Sequence, residues 1–332
     1  MRSAAFNTGT DFHLLDHIAP LAERLGMPLF VTEELNYTLA KRYYPQIETQ
    51  LIPDLEFRLG EIGKSFDVLF ECKYWQPHLK ALFRDLFNKE MRLVFCPHGQ
   101  SDKGYRTPLL APYAFQDTVL IYGSLMLEML RELGISVPSH AIIGNYRRAF
   151  YLKHRLFYDS LAAEELRLDR SKRTVLYAPT WKDADGASSF FKQGARMISE
   201  LPEEWNLILK PHPLLKERNP AEYSLIAEGK PNVFFLEEFP PVYPILALAD
   251  AYIGDFSSVG YDFLSFERPL YFFPTDTPGR LHSCGSLIDL AKNIYSQLDK
   301  PHSRQKEQRA LYRSAFSEAP DDIMEKLFTD RG

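Results

Sequence analysis

Cysteine is scarce in this chain of 332 residues. Cys72, Cys96 and Cys284 stand far apart, in no C-x-x-C spacing, which argues against a zinc ribbon or a disulfide framework and suits a reducing compartment. Long apolar runs are missing too: nothing approaches the ~18 residues needed to span a bilayer. The opening MRSAAFNTGTDF has no apolar core of the kind a signal peptide carries. A cytoplasmic location is therefore expected, with peripheral contact at the inner face of the membrane left open. There is no cationic excess either. With 39 basic and 44 acidic residues the formal charge is −5, so no nucleic-acid partner is expected. Internal repeats and low-complexity segments are absent.

What is present reads as a soluble α/β protein. Hydrophobic residues make up 45% and charged residues 25%, ordinary for a globular chain, and the length suits about two domains. Strands are predicted at 4–7, 28–32, 50–52, 66–70, 93–96, 119–122 and 141–143, separated by helical patterns at 13–25, 35–44, 78–87 and 125–133. A long helical stretch, 146–168, carries no strand. A second alternating series then opens at 174–177 and continues at 205–209, 233–236, 251–253 and 270–273, followed by a charged helical segment at about 303–328. Such alternation implies parallel sheets with βαβ crossovers. The expectation is two Rossmann-like halves facing across a cleft, residues 1–168 and 169–332, with the boundary near 168–173. Ligands of such sheets bind beyond the carboxyl ends of strands.

The stretch Asp250–Phe273, DAYIGDFSSVGYDFLSFERPLYFF, reads strand, tight turn, helix, strand. Ser257 or Ser258 is expected to cap the helix, whose free N–H groups would suit a phosphate. Two other loops are placed alike, Ala178-Pro179-Thr180-Trp181-Lys182-Asp183 after VLY and Lys210-Pro211-His212-Pro213 after LIL. If the three strands are neighbours, Lys182, Lys210, His212 and the serine turn converge on one crevice fit for a diphosphate, and Trp181 offers a flat face for a base or ribose. In the first half, His98 follows a strand end and precedes Gly99, which permits close approach of a substrate. A histidine there is the natural base for a hydroxyl nucleophile; the plain alternative is a turn-capping histidine. Lys103 and Arg106 stand nearby as candidates to steady a charged substrate.

Taken in order, PHGQSDKG, YAPTWKD, LKPHP and IGDFSSVGYDFLSFERPLYFF resemble the CDP-glycerol glycerophosphotransferase family, enzymes that prime and polymerise teichoic-acid-type chains on the two-domain GT-B fold. The resemblance implies His98 as the general base and His212 as a contact of the donor phosphates. It also implies a donor turn at Asp255, Ser257 and Ser258, with Asp262 following it. Gly254 and Phe256 stand where Thr and Tyr are common in that family, one hydroxyl fewer at each. The reaction so implied carries glycerol phosphate, or a related polyol phosphate, from a CDP-activated donor to a hydroxyl of a glycan or lipid-linked acceptor. CMP is released, and neither cofactor nor metal is expected. The compact chain suggests a single transfer more than processive polymerisation. Two alternatives remain: a GT-B glycosyltransferase using a UDP- or CMP-sugar, and a catalytically silent nucleotide-binding scaffold.

Lesser features have two readings each. Tyr146–Tyr158, YRRAFYLKHRLFY, is either a membrane-surface helix or an interdomain helix with buried aromatics. Glu237 and Glu238 bind a ribose or sit in solvent, and Asp262 orders the serine turn or touches the acceptor. His13 and His17 share a helix face but lack a third ligand, so they read as surface or packing residues. Cys96, two residues before His98, is not expected to act as a nucleophile.

Overall fold

The computed structural model describes residues 1–103, 108–181, 188–226, 230–298 and 303–318. The chain forms two compact units. The first comprises residues 1–100, 108–153 and 314–332, the second 101–107 and 154–313. The division at Lys153/His154 falls earlier than the predicted 168–173, and the helix Arg155–Leu166 goes with the second unit.

The first unit is built on seven parallel strands: β1 (Ser3–Asn7), β2 (Leu29–Val31), β3 (Thr49–Leu51), β4 (Val68–Glu71), β5 (Arg92–Phe95), β6 (Thr118–Ile121) and β7 (His140–Ile142). Their order is β3-β2-β1-β4-β5-β6-β7. The central strands are buried along their whole length, as VLFE in β4 and TVLI in β6. Helices on both faces of a parallel sheet leave no solvated side, so these strands show no polar alternation. Helices run over Leu15–Arg24, Glu34–Tyr43, Pro77–Phe87, Ser124–Glu132 and Tyr146–Lys153, close to the predicted spans. The helix Leu59–Ser65 escaped prediction because its two glycines lower helix propensity. Packing explains them: a Cβ on Gly60 would come 3.0 Å from the Phe87 ring, and one on Gly63 3.3 Å from Phe83.

The second unit has six parallel strands: β8 (Arg173–Tyr177), β9 (Trp205–Leu209), β10 (Val233–Phe235), β11 (Ala251–Gly254), β12 (Leu270–Phe272) and β13 (Ser286–Leu287). Their order is β10-β9-β8-β11-β12-β13. The order reverses between β8 and β11, the switch point at which doubly wound sheets bind ligands. The three strands whose loops carry the predicted phosphate site are therefore adjacent. β13, two residues long, is too short to show a period in sequence.

The stretch Tyr146–Tyr158 is two helices broken at His154. Tyr146, Phe150, Tyr151 and Tyr158 are buried, and Arg147 makes a buried ion pair with Asp16. The packing alternative is the one realised for these residues. The terminal helix spans Gln305–Ala315, and the predicted remainder to about 328 lies beyond the described residues. Ser317 N–H donates to the Tyr122 carbonyl at 3.1 Å, and Ser124 N–H to the Ser317 hydroxyl at 3.1 Å. Gly123 makes this crossing possible, since a Cβ there would lie 2.6 Å from the Ser314 carbonyl.

Candidate active site

Each unit carries its own cluster. In the first, β5 ends at Phe95 and the chain turns through buried Cys96 and Pro97 to His98, which is exposed. Gly99 follows at φ 112°, a backbone region that favours glycine. The Tyr122 hydroxyl, just past the neighbouring strand β6, donates to the Pro97 carbonyl at 2.8 Å. The rings of His13 and His17 pack against His98, each at a centroid distance of 6.4 Å. His17 is buried and contacts the Tyr122 hydroxyl at 3.0 Å. Burial, then the Arg147 charge and the neighbouring His98 and His13, hold its pKa well below the usual histidine value. Burial pushes the Cys96 thiol well up, so it is inert as a nucleophile.

In the second unit, the loops after β8, β9 and β11 meet at the switch point. Asp255 knots two of them: one carboxylate oxygen accepts from Thr180 N–H at 2.9 Å, the other from the N–H and hydroxyl of Ser189, both at 2.7 Å. Ser189 stands at the N-terminus of the helix Phe190–Ser199 without a side-chain cap bond. Both oxygens of Asp255 thus bond to the protein and tie the two loops together. Burial raises its pKa, opposed by these hydrogen bonds and by Lys103. Thr180 is likewise buried and contributes through its backbone. The short helix after β11 covers only Val259–Phe263, with Leu264–Phe266 a 3-10 turn. Ser258 occupies its N-cap without a side-chain bond, while the Ser257 hydroxyl accepts from Val259 N–H at 3.4 Å. Gly254 is explained by its neighbour Tyr252, whose phenol fills the space a Cβ would need.

After β9, His212 caps the helix Pro213–Arg218, its Nδ1 accepting from Leu214 N–H at 3.2 Å. An accepting Nδ1 places the proton on Nε2, which makes His212 a hydrogen-bond donor on its far side. Lys210 is half-buried at the end of β9. The Trp181 ring is already engaged by cations: Lys103 Nζ lies 4.3 Å from its centroid and Arg218 Cζ 4.7 Å. This alters two expectations. Trp181 supports a cationic cluster and is not simply an open face for a base. Lys103 belongs to the second unit, beside Trp181 and Asp255, and not to an acceptor site of the first. Its segment is pinned by Asp102, which accepts from the Tyr261 hydroxyl at 2.7 Å and from Leu281 N–H at 2.9 Å. Ser101 also donates to the Phe256 carbonyl at 3.1 Å.

Several predicted residues are placed elsewhere. Asp262 is buried and accepts from the Tyr243 hydroxyl at 2.9 Å, a bond to the helix Tyr243–Leu248 and not to the serine turn. Glu237 is bound to Lys216 and Tyr223, and Glu238 is exposed. Arg106 and Lys182 lie outside the described residues, as do Asp183 and Asp185, a D-x-D spacing that the metal-free expectation left out of account. Among the described residues no group of His, Cys, Asp or Glu has metal-ligand geometry. Sequence reasoning missed Arg218, Ser189, Tyr252 and Asp102, because no local pattern marks residues that converge only through the sheet. It also missed His282, a buried histidine packed at a tilt against Phe256 and Phe272, with Nδ1 accepting from Gly279 N–H at 3.2 Å. Burial lowers its pKa, partly opposed by Asp102.

His17 and His282 give an acid-sensitive fold. Both are neutral in the native state, with pKa below that of the unfolded chain. As pH falls below ~6.5 the unfolded chain takes up protons more readily than the native state, so stability falls with pH in that range. Unfolding midpoints measured from pH 7.5 to 5 are expected to fall only below about pH 6.5. A His17→Asn variant should show a shallower decline. A flat profile would contradict the neutral assignments.

Residues 141–315 match the family described as CDP-glycerol:poly(glycerophosphate) glycerophosphotransferase. A teichoic acid poly(glycerol phosphate) polymerase of Bacillus spizizenii is 30% identical over 124 residues, 34% of this chain and 29% of that protein. A teichoic acid glycerol-phosphate primase of the same species is 30% identical over 110 residues, 33% of this chain and 27% of that one. The chain spans less than a third of the length of these relatives. Among solved structures, the wall teichoic acid polymerase TagF superposes with a TM-score of 0.62 at 14% identity, covering 98% of this chain and 87% of that one. An MnaA–UDP structure from S. aureus superposes at 0.58 and 13% identity, covering 98% and 95%. At such identities the likeness is one of fold, the two-domain GT-B architecture.

Proposed function

Because this chain belongs to the CDP-glycerol:poly(glycerophosphate) glycerophosphotransferase family, we propose that it transfers a polyol phosphate from a CDP-activated donor to a hydroxyl of a glycan or lipid-linked acceptor. Glycerol phosphate is the favoured cargo. One observation carries the reading: the family match spans the loops after β8, β9 and β11, the adjacent strands around the switch point. In this scheme the second unit holds the donor. His212, through Nε2–H, and Lys210 meet the diphosphate, with the Ser257/Ser258 turn beside them. Lys103 and Arg218, held at Trp181, add positive charge. Asp255 and Asp102 keep the loops in register and touch no substrate.

His98 accepts the proton of the acceptor hydroxyl. The freed oxygen forms a bond to the donor's β-phosphorus in line with the bridging oxygen, whose bond to that phosphorus breaks. CMP departs with the electron pair, and its growing charge meets the donors of the second unit. The proton remains on His98 until solvent removes it. The scheme routes no step through a metal. With a lipid-linked acceptor, the reaction belongs at the cytoplasmic face of the membrane; no helix among the described residues is long and apolar enough to cross one.

Calorimetric titration with CDP-glycerol, CDP, CMP and UDP, in EDTA and in Mg²⁺, tests the reading. CDP-glycerol is expected to bind tightest, equally in both buffers. Preference for UDP would transfer the assignment to a sugar nucleotide, and binding that needs Mg²⁺ would bring Asp183 and Asp185 into the site. Absence of binding by any of the four would remove it.

A further inference from the structure

The first unit contains a buried relay behind His98 whose protons can be counted. A phenol has one hydrogen, and Tyr122 gives it to the Pro97 carbonyl at 2.8 Å, an atom that can only accept. Towards His17 Nδ1, at 3.0 Å, the Tyr122 oxygen must therefore accept. Nδ1 of His17 then carries the proton and Nε2 is bare, the less usual tautomer of a histidine in water. The chain of donation runs from His17 to Tyr122 to the Pro97 carbonyl. That carbonyl belongs to the peptide plane joining Pro97 to His98, and the plane is rigid, so fixing its oxygen fixes the direction in which His98 leaves the backbone. On the other side, Gly99 at φ 112° sets the turn. The relay is itself held. Tyr122 stacks on Tyr146 at 6.0 Å and 5° and meets Phe316 edge-on at 5.8 Å. His17 sits on the helix Leu15–Arg24 beside the buried Asp16–Arg147 pair. The ionisable groups around it are His13, His98, Asp16, Arg147 and Tyr122.

We infer that His17 and Tyr122 are positioning residues for His98, a buried two-bond relay that aims the exposed imidazole. The inference rests on the reading of His98 as the base. Nothing in the pattern of residues 13–17 marks it, because Tyr122 lies more than a hundred positions away.

The test uses the full chain and three variants. Tyr122→Phe keeps the ring and removes the hydroxyl; His17→Phe removes the donor; His17→Asn restores an amide N–H near the place of Nδ1. For CMP release from CDP-glycerol, the first two are expected to lower kcat about tenfold to a hundredfold, with KM for CDP-glycerol unchanged. His17→Asn should recover kcat to within about threefold of the parent. Independently of turnover, ¹⁵N-histidine spectra of the parent should show one histidine in the Nδ1–H form, lost in Tyr122→Phe. A kcat in Tyr122→Phe within about twofold of the parent, or a parent spectrum without an Nδ1–H histidine, overturns the relay. If the parent and His98→Ala release CMP equally, the base assignment falls instead, and the tautomer signal still decides whether the relay exists.

Discussion

Replacing His98 by alanine is expected to reduce transfer from CDP-glycerol by a factor of about 10² to 10⁴, the usual worth of a positioned general base. Donor affinity measured by calorimetry should be unchanged, since the donor groups lie in the second unit. The unfolding midpoint should change little, because His98 is exposed and its loop is held by the Tyr122–Pro97 hydrogen bond. The three readouts matter together. Loss of turnover with intact binding and stability identifies a group that acts on the reacting proton. Unchanged turnover would remove His98 from the mechanism and leave it a turn residue. The loop chemistry supports the first outcome, for the imidazole is exposed and is carried on a peptide plane held by Tyr122.

His212 allows a sharper separation, because its two nitrogens do different work. Nδ1 accepts from Leu214 N–H and caps the helix Pro213–Arg218; Nε2–H is the proposed contact to the donor. Asparagine is among the best N-cap residues but does not reach as far. His212→Asn is therefore expected to retain the unfolding midpoint and lose about 10² to 10³ in kcat, the scale for removing one donor from a developing anion. His212→Ala should lose the same activity and in addition about 1 kcal/mol of stability, measured by denaturant unfolding. If His212→Asn turns over like the parent, the histidine is a cap and nothing more, and the phosphate contact passes to Lys210, Lys103 and Arg218.

Much of this was legible along the chain because its signals are local. Strands of a covered parallel sheet are mostly short apolar runs, so twelve of the thirteen strands among the described residues announced themselves, and a loop that follows such a run in a parallel sheet stands at the ligand-binding edge by topology. The motifs around His98, His212 and the serine turn, and with them the family resemblance, are therefore legible in the amino-acid order itself. The exceptions have physical causes. Leu59–Ser65 is a helix despite two glycines because Phe83 and Phe87 need the space, and tertiary packing outweighs about 1 kcal/mol of propensity per glycine.

Side-chain roles were settled only by the fold. Ionisable and hydroxyl groups take their character from what surrounds them in space, and those partners come from distant positions. Asp255 looks like a phosphate ligand beside its serines, yet both its oxygens are spent on Thr180 and Ser189. Lys103 follows His98 by five residues, yet it rests on Trp181 in the other unit. His17 has the spacing of an ordinary helix face, yet burial and Arg147 hold it neutral while Tyr122 fixes its tautomer. Amino-acid order determined the strands, the loops and the class of chemistry they carry. Which atom donates, which accepts and which carboxylate is merely structural was decided by three-dimensional contact, since hydrogen bonding and desolvation act over a few ångströms of space whatever the separation in sequence.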